Sequence, residues 1–339
     1  MIVLKAEEII FSYLNKGLSD IGICDASPFE EERCFIEKAN ESLKGFVEQD
    51  IEKRIYPSLT MPEVKSIISV AYPYVKNKPS YDGSLRVNIS SGAVGEDYHI
   101  TLKNILDNMA ADLKNNFDAR CMVFVDTGPL SDRAVAVRSG TGHKGKNGSL
   151  VSGNCGSGVF LGYILTDLEL EKSKKTETDC GNCRKCLDLC PTKAITENGF
   201  EAEKCISYIT QKKGILSEEE MSLMGKEIYG CDICHRFCAK TKIINETMAI
   251  DEANPLAEEI LSMDNKAFKE RFGNTAMSFR GRNIIRRNVL CALSNIRTKE
   301  SLELINKYIN DESEIVSKTA LKAKEKLERD LWDTGIQED

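Results

Sequence analysis

No apolar run in the 339 residues approaches the ~20 needed to cross a bilayer, so the sequence predicts no membrane-spanning helix. The first residues hold one Lys and then two Glu, with no secretory apolar core and no twin arginine behind them. A cytoplasmic protein without membrane partners is the expectation. Positive charge is outnumbered. Lys and Arg number 46 against 53 Asp and Glu, a net charge of −7, which argues against a general polyanion binder. One stretch departs from that balance. Residues 271–300 carry Arg271, Arg280, Arg282, Arg286, Arg287, Arg297 and Lys299 against Glu300, a local +6. Such a patch reads either as a polyanion footprint or as a solvated helix face.

Cysteine, by contrast, is plentiful. Thirteen Cys in a cytoplasmic chain argue for metal rather than disulfides. Cys180, Cys183, Cys186 and Cys190-Pro191 spell C-x2-C-x2-C-x3-C-P, the spacing used by bacterial two-cluster ferredoxins. Three thiolates at that spacing wrap one cubane, while the fourth lies too far round and serves the other cluster. Cys205 and then Cys231-x2-Cys234-x3-Cys238 complete eight ligands. The crossed pattern assigns Cys180, Cys183, Cys186 and Cys238 to one [4Fe–4S] cluster and Cys190, Cys205, Cys231 and Cys234 to the other. A zinc ribbon leaves four of the eight unexplained or needs two sites. Cys231-Asp232-Ile233-Cys234-His235 also fits C-x-x-C-H haem attachment, but that reading idles Cys238 and needs an exported chain. His235 is expected to be solvated or to support a ligand. The other five, Cys24, Cys34, Cys121, Cys155 and Cys291, are expected to be buried packing residues.

Along the chain, Glu7 to Lys16 has helical spacing ended by Gly17, and Glu30 to Leu43 reads as a charged helix. Ile21–Cys24, Ser66–Ala71, Ala119–Val125 and Val159–Leu165 read as strands. Asn77 to Ser91 is turn-rich. Asp97 to Phe117 is a long amphipathic helix with Leu102, Ile105, Leu106, Met109 and Leu113 on one stripe. Strands alternating with helices predict an α/β layered domain over residues 1–170. A polar linker then leads into a cluster domain at 171–245, and residues 246–339 are helical. Asn283–Ile296 and Ile315–Leu327 match at an offset of 31 residues: Ile284 with Ile315, Leu290 with Leu321, Ala292 with Ala323, Ile296 with Leu327. This predicts helical-repeat packing of the HEAT kind.

Asp126 ends a strand, where loops build sites in α/β folds, and Gly128-Pro129 fixes the backbone behind it. It is either a pocketed proton donor or an Asx-turn cap. After it, Arg133, Arg138, Gly140, Gly142, Gly145, Lys146 and Asn147 form a basic, glycine-rich loop of the sort that admits a phosphate or a flat cofactor. The loop is neither a P-loop nor G-x-G-x-x-G, so its ligand stays open.

The stretches Val125-Asp126-Thr127-Gly128-Pro129-Leu130, Asp132-Arg133-Ala134-Val135-Ala136 and Gly145-Lys146-Asn147 resemble the epoxyqueuosine reductase family. So do Phe160-Leu161-Gly162, Thr166-Asp167-Leu168, the eight Cys, Cys205-Ile206-Ser207-Tyr208 and Asn274-Thr275-Ala276-Met277-Ser278. The likeness runs in order from about residue 50 to 330. It implies a monomeric, cobalamin-dependent enzyme that reduces epoxyqueuosine to queuosine at the tRNA wobble position. It also implies a flavoreductase-like cobalamin domain, then ferredoxin-like and HEAT-like domains. Asp126 becomes the expected general acid, and Arg54, Leu150, Ser152, Leu161, Ile164 and Ser207 the expected cobalamin contacts. His99, in Asp97-Tyr98-His99, is expected either to line the pocket or to be a capping or core histidine. The chain departs from the family at His143-Lys144, where an aromatic is usual, and at Cys238-Ala239-Lys240-Thr241, where Cys-Pro-Trp-Asn is frequent.

Clusters alone move single electrons, so the implied cofactor carries the two-electron chemistry, fed from an external donor such as a ferredoxin or flavodoxin. Asp126 would protonate the departing oxygen, which calls for a raised pKa. A flipped-out anticodon base would enter the pocket while Arg282, Arg286 and Arg287 meet phosphates. The rival readings are a corrinoid reductive dehalogenase, a two-cluster electron carrier without corrinoid, and a zinc-stabilised tRNA-binding module.

Overall fold

The computed structural model describes residues 2–43, 46–81 and 85–333. Residues 82–84 of the turn-rich stretch and 334–339 of the helical region lie outside the described residues. The four expected strands all form: β1 (Asp20–Asp25), β2 (Ser66–Pro73), β3 (Cys121–Val125) and a long strand at Val159–Thr166. Two short strands, β4 (Gly142–Lys144) and β5 (Leu150–Ser152), make a hairpin before that last one, which is therefore β6. The sheet order is β1-β2-β6-β3, and every pairing is antiparallel, with Ile68 opposite both Ile23 and Ile164. The layered architecture thus appears with antiparallel strands.

Both faces of the sheet are covered. Helices α1 (Ile2–Ser12) and α2 (Tyr98–Phe117) lie on one face, where Ile10, Tyr13, Ile68, Val70, Leu102, Leu106, Met109 and Leu113 form one core. The expected Glu7–Lys16 helix ends early, because Tyr13–Lys16 tightens into a 3-10 turn before Gly17 at φ 99°. Full burial of each large apolar side chain on the α2 stripe contributes roughly 1.5–3 kcal/mol. Gly162 on β6 lets α2 come close, since a Cβ there would meet Leu106 Cδ1 at 2.8 Å. On the other face, helix α3 (Asp132–Arg138) packs Ala134 and Val135 against Ile67, Tyr163 and Leu165.

The C-terminal helices are α4 (Arg282–Ile296), α5 (Lys299–Asn306) and α6 (Glu314–Asp333). In the 31-residue match, Ala292 and Ala323 are both fully buried, but Leu290 is buried while Leu321 is 46% exposed. The core of these helices also takes in Ile209, Leu216, Met221, Met224 and Ile228. Packing is therefore continuous across residue 245. The cluster segment is tied back to the N-terminal part as well. Glu227–Tyr229 pairs in parallel with Asn88–Ile89, and Ile244–Thr247 with Lys76–Asn77. These ties bring the cluster loops against the edge of the α/β layers, where the ends of β3 and β6 open into a cleft.

Candidate active site

Seven of the eight cysteines lie near enough to feel one another's charge. Cys186 feels the charge of Cys234, Cys180 and Cys238, while Cys190, Cys205, Cys231 and Cys234 feel one another. Cys183 sits on the turn with Cys180, its N–H donating to the Cys180 carbonyl at 3.1 Å. Burial pushes the Cys186 thiol up to about 11 and the Cys234 thiol up to about 12. Thiols this reluctant to ionise bind metal because the cation displaces the proton. Among the described residues no three His, Cys, Asp or Glu side chains converge as one ion would need. Backbone N–H groups of Thr192, Ala194 and Ile195 point at the Cys190 sulfur, and those of Ser207 and Tyr208 at Cys205. Bonds of this kind tune a cluster's potential. His235 is fixed: its Nδ1 donates to the Ser157 carbonyl at 2.7 Å. His143 is also enclosed, with Nδ1 3.2 Å from Thr178 Oγ1 and Nε2 3.9 Å from Cys180 Sγ.

Beside this segment lies a cleft of about 520 Å³. Its lining includes Arg54, Tyr98, Asp126, Asp132, Leu150, Phe160 and Leu161. Asp126 stands at the end of β3 with φ 58°, a left-handed backbone that Asp tolerates better than most residues. Tyr98 OH donates to Asp126 Oδ2 at 2.6 Å, and His99 Nε2 lies 3.6 Å from the same oxygen. His99 Nδ1 is 2.7 Å from Asp97 Oδ1, so the imidazole bridges two carboxylates. The nearby Asp126 carboxylate leads the causes that raise the His99 pKa above 6.5, against the opposing effect of burial. Burial also tends to raise the Asp126 pKa, but His99, Tyr98 and Arg133 outweigh it and the net shift is downward. The expected raised value therefore does not appear on Asp126 here; the proton of the pair rests on His99. It appears instead on Asp132, which burial and then the Asp126 charge push up to about 8. One Asp132 oxygen is buried without a partner.

An aromatic column joins the cleft to the cluster segment. Tyr98 stacks on Phe160 at 3.8 Å between centroids, Phe160 on Tyr74 at 4.4 Å, and Tyr74 meets His235 edge-on at 6.2 Å. His235 directly follows Cys234.

The comparisons with known proteins decide the family. A family described as "Epoxyqueuosine reductase QueG, DUF1730" matches residues 54–127, and a "4Fe-4S double cluster binding domain" matches 179–241. The epoxyqueuosine reductase of Lactococcus garvieae is 38% identical over 336 residues, covering 95% of this chain and 96% of that one. That of Bacillus subtilis is 37% identical, covering 93% and 85%. The chain belongs to the epoxyqueuosine reductase family. A crystal structure of an epoxyqueuosine reductase with an epoxyqueuosine-modified tRNA-Tyr stem loop is 32% identical, with TM-score 0.89, covering 99% of this chain and 96% of that one. A Bacillus subtilis structure in which the catalytic Asp loop is swung out of the active site is 33% identical, with TM-score 0.89 and coverage of 96% and 91%.

Not every site expected of an epoxyqueuosine reductase falls together here. Arg54, Asp126, Leu150 and Leu161 line the cleft. Ile164 does not: it is fully buried in the sheet core against α2, so its side chain has no free face. Ser152 spends its hydroxyl on Asp20 Oδ2 at 2.7 Å, and Ser207 lies on the helix after Cys205, outside the cleft lining. The phosphate role expected for Arg287 fails outright. It is 0% exposed and donates to the carbonyls of Lys212 and Gly214 at 2.6 Å. Arg286 is buried too, paired with Asp311 at 2.5 Å. Arg282 is half-buried, donating to the Met263 carbonyl at 3.1 Å. The basic loop is likewise occupied: Arg133 holds the Gly148 carbonyl, and Lys146 holds those of Gly181 and Cys183. Of the five cysteines expected to be buried, Cys24 and Cys291 are, Cys121 and Cys155 are half-buried, and Cys34 is exposed. Tyr98 and Asp132 were missed as site residues. Tyr98 was findable beside His99 at a helix start; nothing local marks Asp132 as a carboxyl held protonated.

Proposed function

We propose that this chain reduces the epoxide of epoxyqueuosine in tRNA, through a corrinoid bound in the cleft and two [4Fe–4S] clusters on the eight cysteines. Family membership supports the reaction and makes the chain an oxidoreductase. The observation that carries the site is the Asp97–His99–Asp126–Tyr98 set, open to a cleft beside the cluster loops. Residues 1–170 hold cofactor and catalysis, 171–245 the clusters, and 246–339 a HEAT-like helical platform facing the RNA.

The apolar part of the cleft wall supports a flat macrocycle as its occupant. Its apolar lining includes Leu150, Leu161 and Phe160, Arg54 stands in the wall, and neither His nor Cys is among the described lining residues. When bound, cobalamin supplies the strong reductant that opening an epoxide requires. Arg54, 6% exposed and held by Asn40, would meet polar groups of the cofactor with little water to screen its charge. Asp126 has 60% of its side chain accessible, enough to reach a substrate oxygen. Losing the epoxide oxygen as water takes two electrons and two protons; Tyr98 fixes the Asp126 carboxylate, and His99 supplies the first of those protons, which Asp126 passes to the oxygen, solvent supplying the second. Asp132 adds a neutral carboxyl to the same pocket and keeps its charge low. The test is anaerobic incubation with epoxyqueuosine-containing tRNA, cobalamin and a strong reductant, followed by nucleoside analysis. Queuosine should form with the native chain. Asp126→Asn should bind cobalamin by visible titration and lose turnover by about 100-fold or more. Undiminished turnover in that variant removes Asp126 from the acid role.

A further inference from the structure

Three segments far apart in sequence meet at the rim of the cleft. Phe46 lines the cleft and is 40% exposed. The Tyr208 ring lies 5.6 Å from it. The Arg280 guanidinium carbon sits 4.6 Å from the Phe46 ring centroid and 4.4 Å from that of Phe279. Phe279 is 67% exposed, more than any other large apolar side chain among the described residues.

Arg280 differs from its neighbours in the basic stretch. Arg271 pairs with Glu259, Arg286 with Asp311 and Arg297 with Asp330, while Arg282 and Arg287 bind carbonyls. Among the described residues Arg280 makes neither a hydrogen bond nor an ion pair, and its Nε is buried without a partner. A half-buried cation held only by two ring faces is poorly satisfied in the free protein. Exposing Phe279 beside it adds nothing to folding. Both features suit one chemistry: a flexible polyanion that also presents flat faces, which is unpaired nucleic acid.

The geometry points to Phe46, Phe279 and Arg280 as a clamp on the anticodon-loop nucleotides that flank the wobble base. The exposed face of Phe279 stacks on a neighbouring unpaired base. Arg280, aligned by Phe46, takes the adjacent phosphate. This holds the loop splayed over the cleft while the modified base enters it. The clamp rests on the epoxyqueuosine-tRNA reading above and names the residues that read the RNA next to the site.

The probe is an anticodon stem loop carrying epoxyqueuosine, with 2-aminopurine immediately 3′ of it. Binding to the native protein should change 2-aminopurine emission. Phe279→Leu should weaken binding by about 5- to 100-fold and abolish that change, while Phe279→Trp keeps both. Arg280→Gln should weaken binding about 10-fold and lower the slope of log K against log salt by about 0.7. Cobalamin titration of each variant, equal to the native protein, shows that the fold is intact. Native affinity and slope in Phe279→Leu and Arg280→Gln overturn the clamp and leave the reductase reading standing. So does weakening by Arg280→Gln with an unmoved slope, for the phosphate contact. A native protein that neither binds nor reduces the stem loop sinks the reductase reading, and the clamp with it.

Discussion

At Asp126, burial and hydrogen bonding act in opposite directions, and the donors win. The two shifts favour a carboxylate beside an imidazolium, and in the proposed mechanism the transferable proton starts on His99. Because the His99 pKa is raised above 6.5, its protonated form persists to higher pH than a free imidazole allows. The kcat/KM profile reports the free enzyme, so it should fall as pH rises through that raised value. In His99→Gln this alkaline limb should vanish and the rate at neutral pH drop roughly 10- to 100-fold. A native-like limb in the variant would assign the proton elsewhere. Asp132 gives a stability prediction of the opposite kind. Its carboxyl rises from the ordinary 3.8 to about 8 on folding, so between those values the native state binds more protons than the unfolded state. Stability should therefore fall as pH rises across that window and level off above about 8. Asp132→Asn should remove the fall, with its gain in Tm over the native chain widening from pH 4 to 8. At this scale the sequence was legible where chemistry is spacing, as in the eight cysteines. It was not legible where chemistry is burial: Asp126 and Asp132 look alike on the page, and only packing separates their protons.

Elements were legible in kind and illegible in partnership. The runs Ser-Ile-Ile-Ser-Val-Ala at 66–71 and Val159–Leu165 announce central strands because β-branched and apolar side chains fill both faces. Nothing in them states that the neighbours run antiparallel, because that follows from connections closing elsewhere. The 31-residue offset found helices that do pack on each other, but Leu321 faces outward because α6 turns a different side to the core from α4. Charge was the least legible of all. Arg287 reads as a surface cation in sequence, yet with Asn288 it staples α4 to the helix Ile206–Gln211. Asn288 Nδ2 lies 2.7 Å from both the Thr210 and Ile228 carbonyls, and Arg287 reaches four carbonyls, those of Ile209, Thr210, Lys212 and Gly214. Removing the guanidinium leaves buried acceptors unpaired, each costing about 1–3 kcal/mol. Arg287→Ala should lower unfolding stability by about 3–5 kcal/mol in urea while the salt slope of RNA binding stays native. A lowered slope with native stability would return Arg287 to the RNA surface.

For the molecule as a whole, the question is whether the cluster segment is an attached module or part of one packed body. The contacts favour the second. Lys146 reaches from the β4–β5 hairpin to the Gly181 and Cys183 carbonyls. Asp232, between Cys231 and Cys234, accepts from Ser91 N at 2.9 Å and pairs with Lys78 at 3.2 Å, while Arg236 donates to the Lys76 carbonyl at 3.0 Å. The same segment lends Ile209, Met221 and Ile228 to the core of the C-terminal helices. With two clusters bound as proposed, metal ligation adds folding free energy to both flanking regions, because the cluster segment packs against each of them. Stripping iron and sulfide should lower the melting temperature of the whole chain by several degrees, in a single transition seen alike by far-ultraviolet dichroism and by tyrosine fluorescence. Cobalamin affinity should fall with it, because Lys146 links the cluster loop to the hairpin that places Leu150 in the cleft. If the α/β layers instead melt at an unchanged temperature and bind cobalamin as before, the clusters are carried by a module, and the two halves of the site meet only when the RNA brings them together.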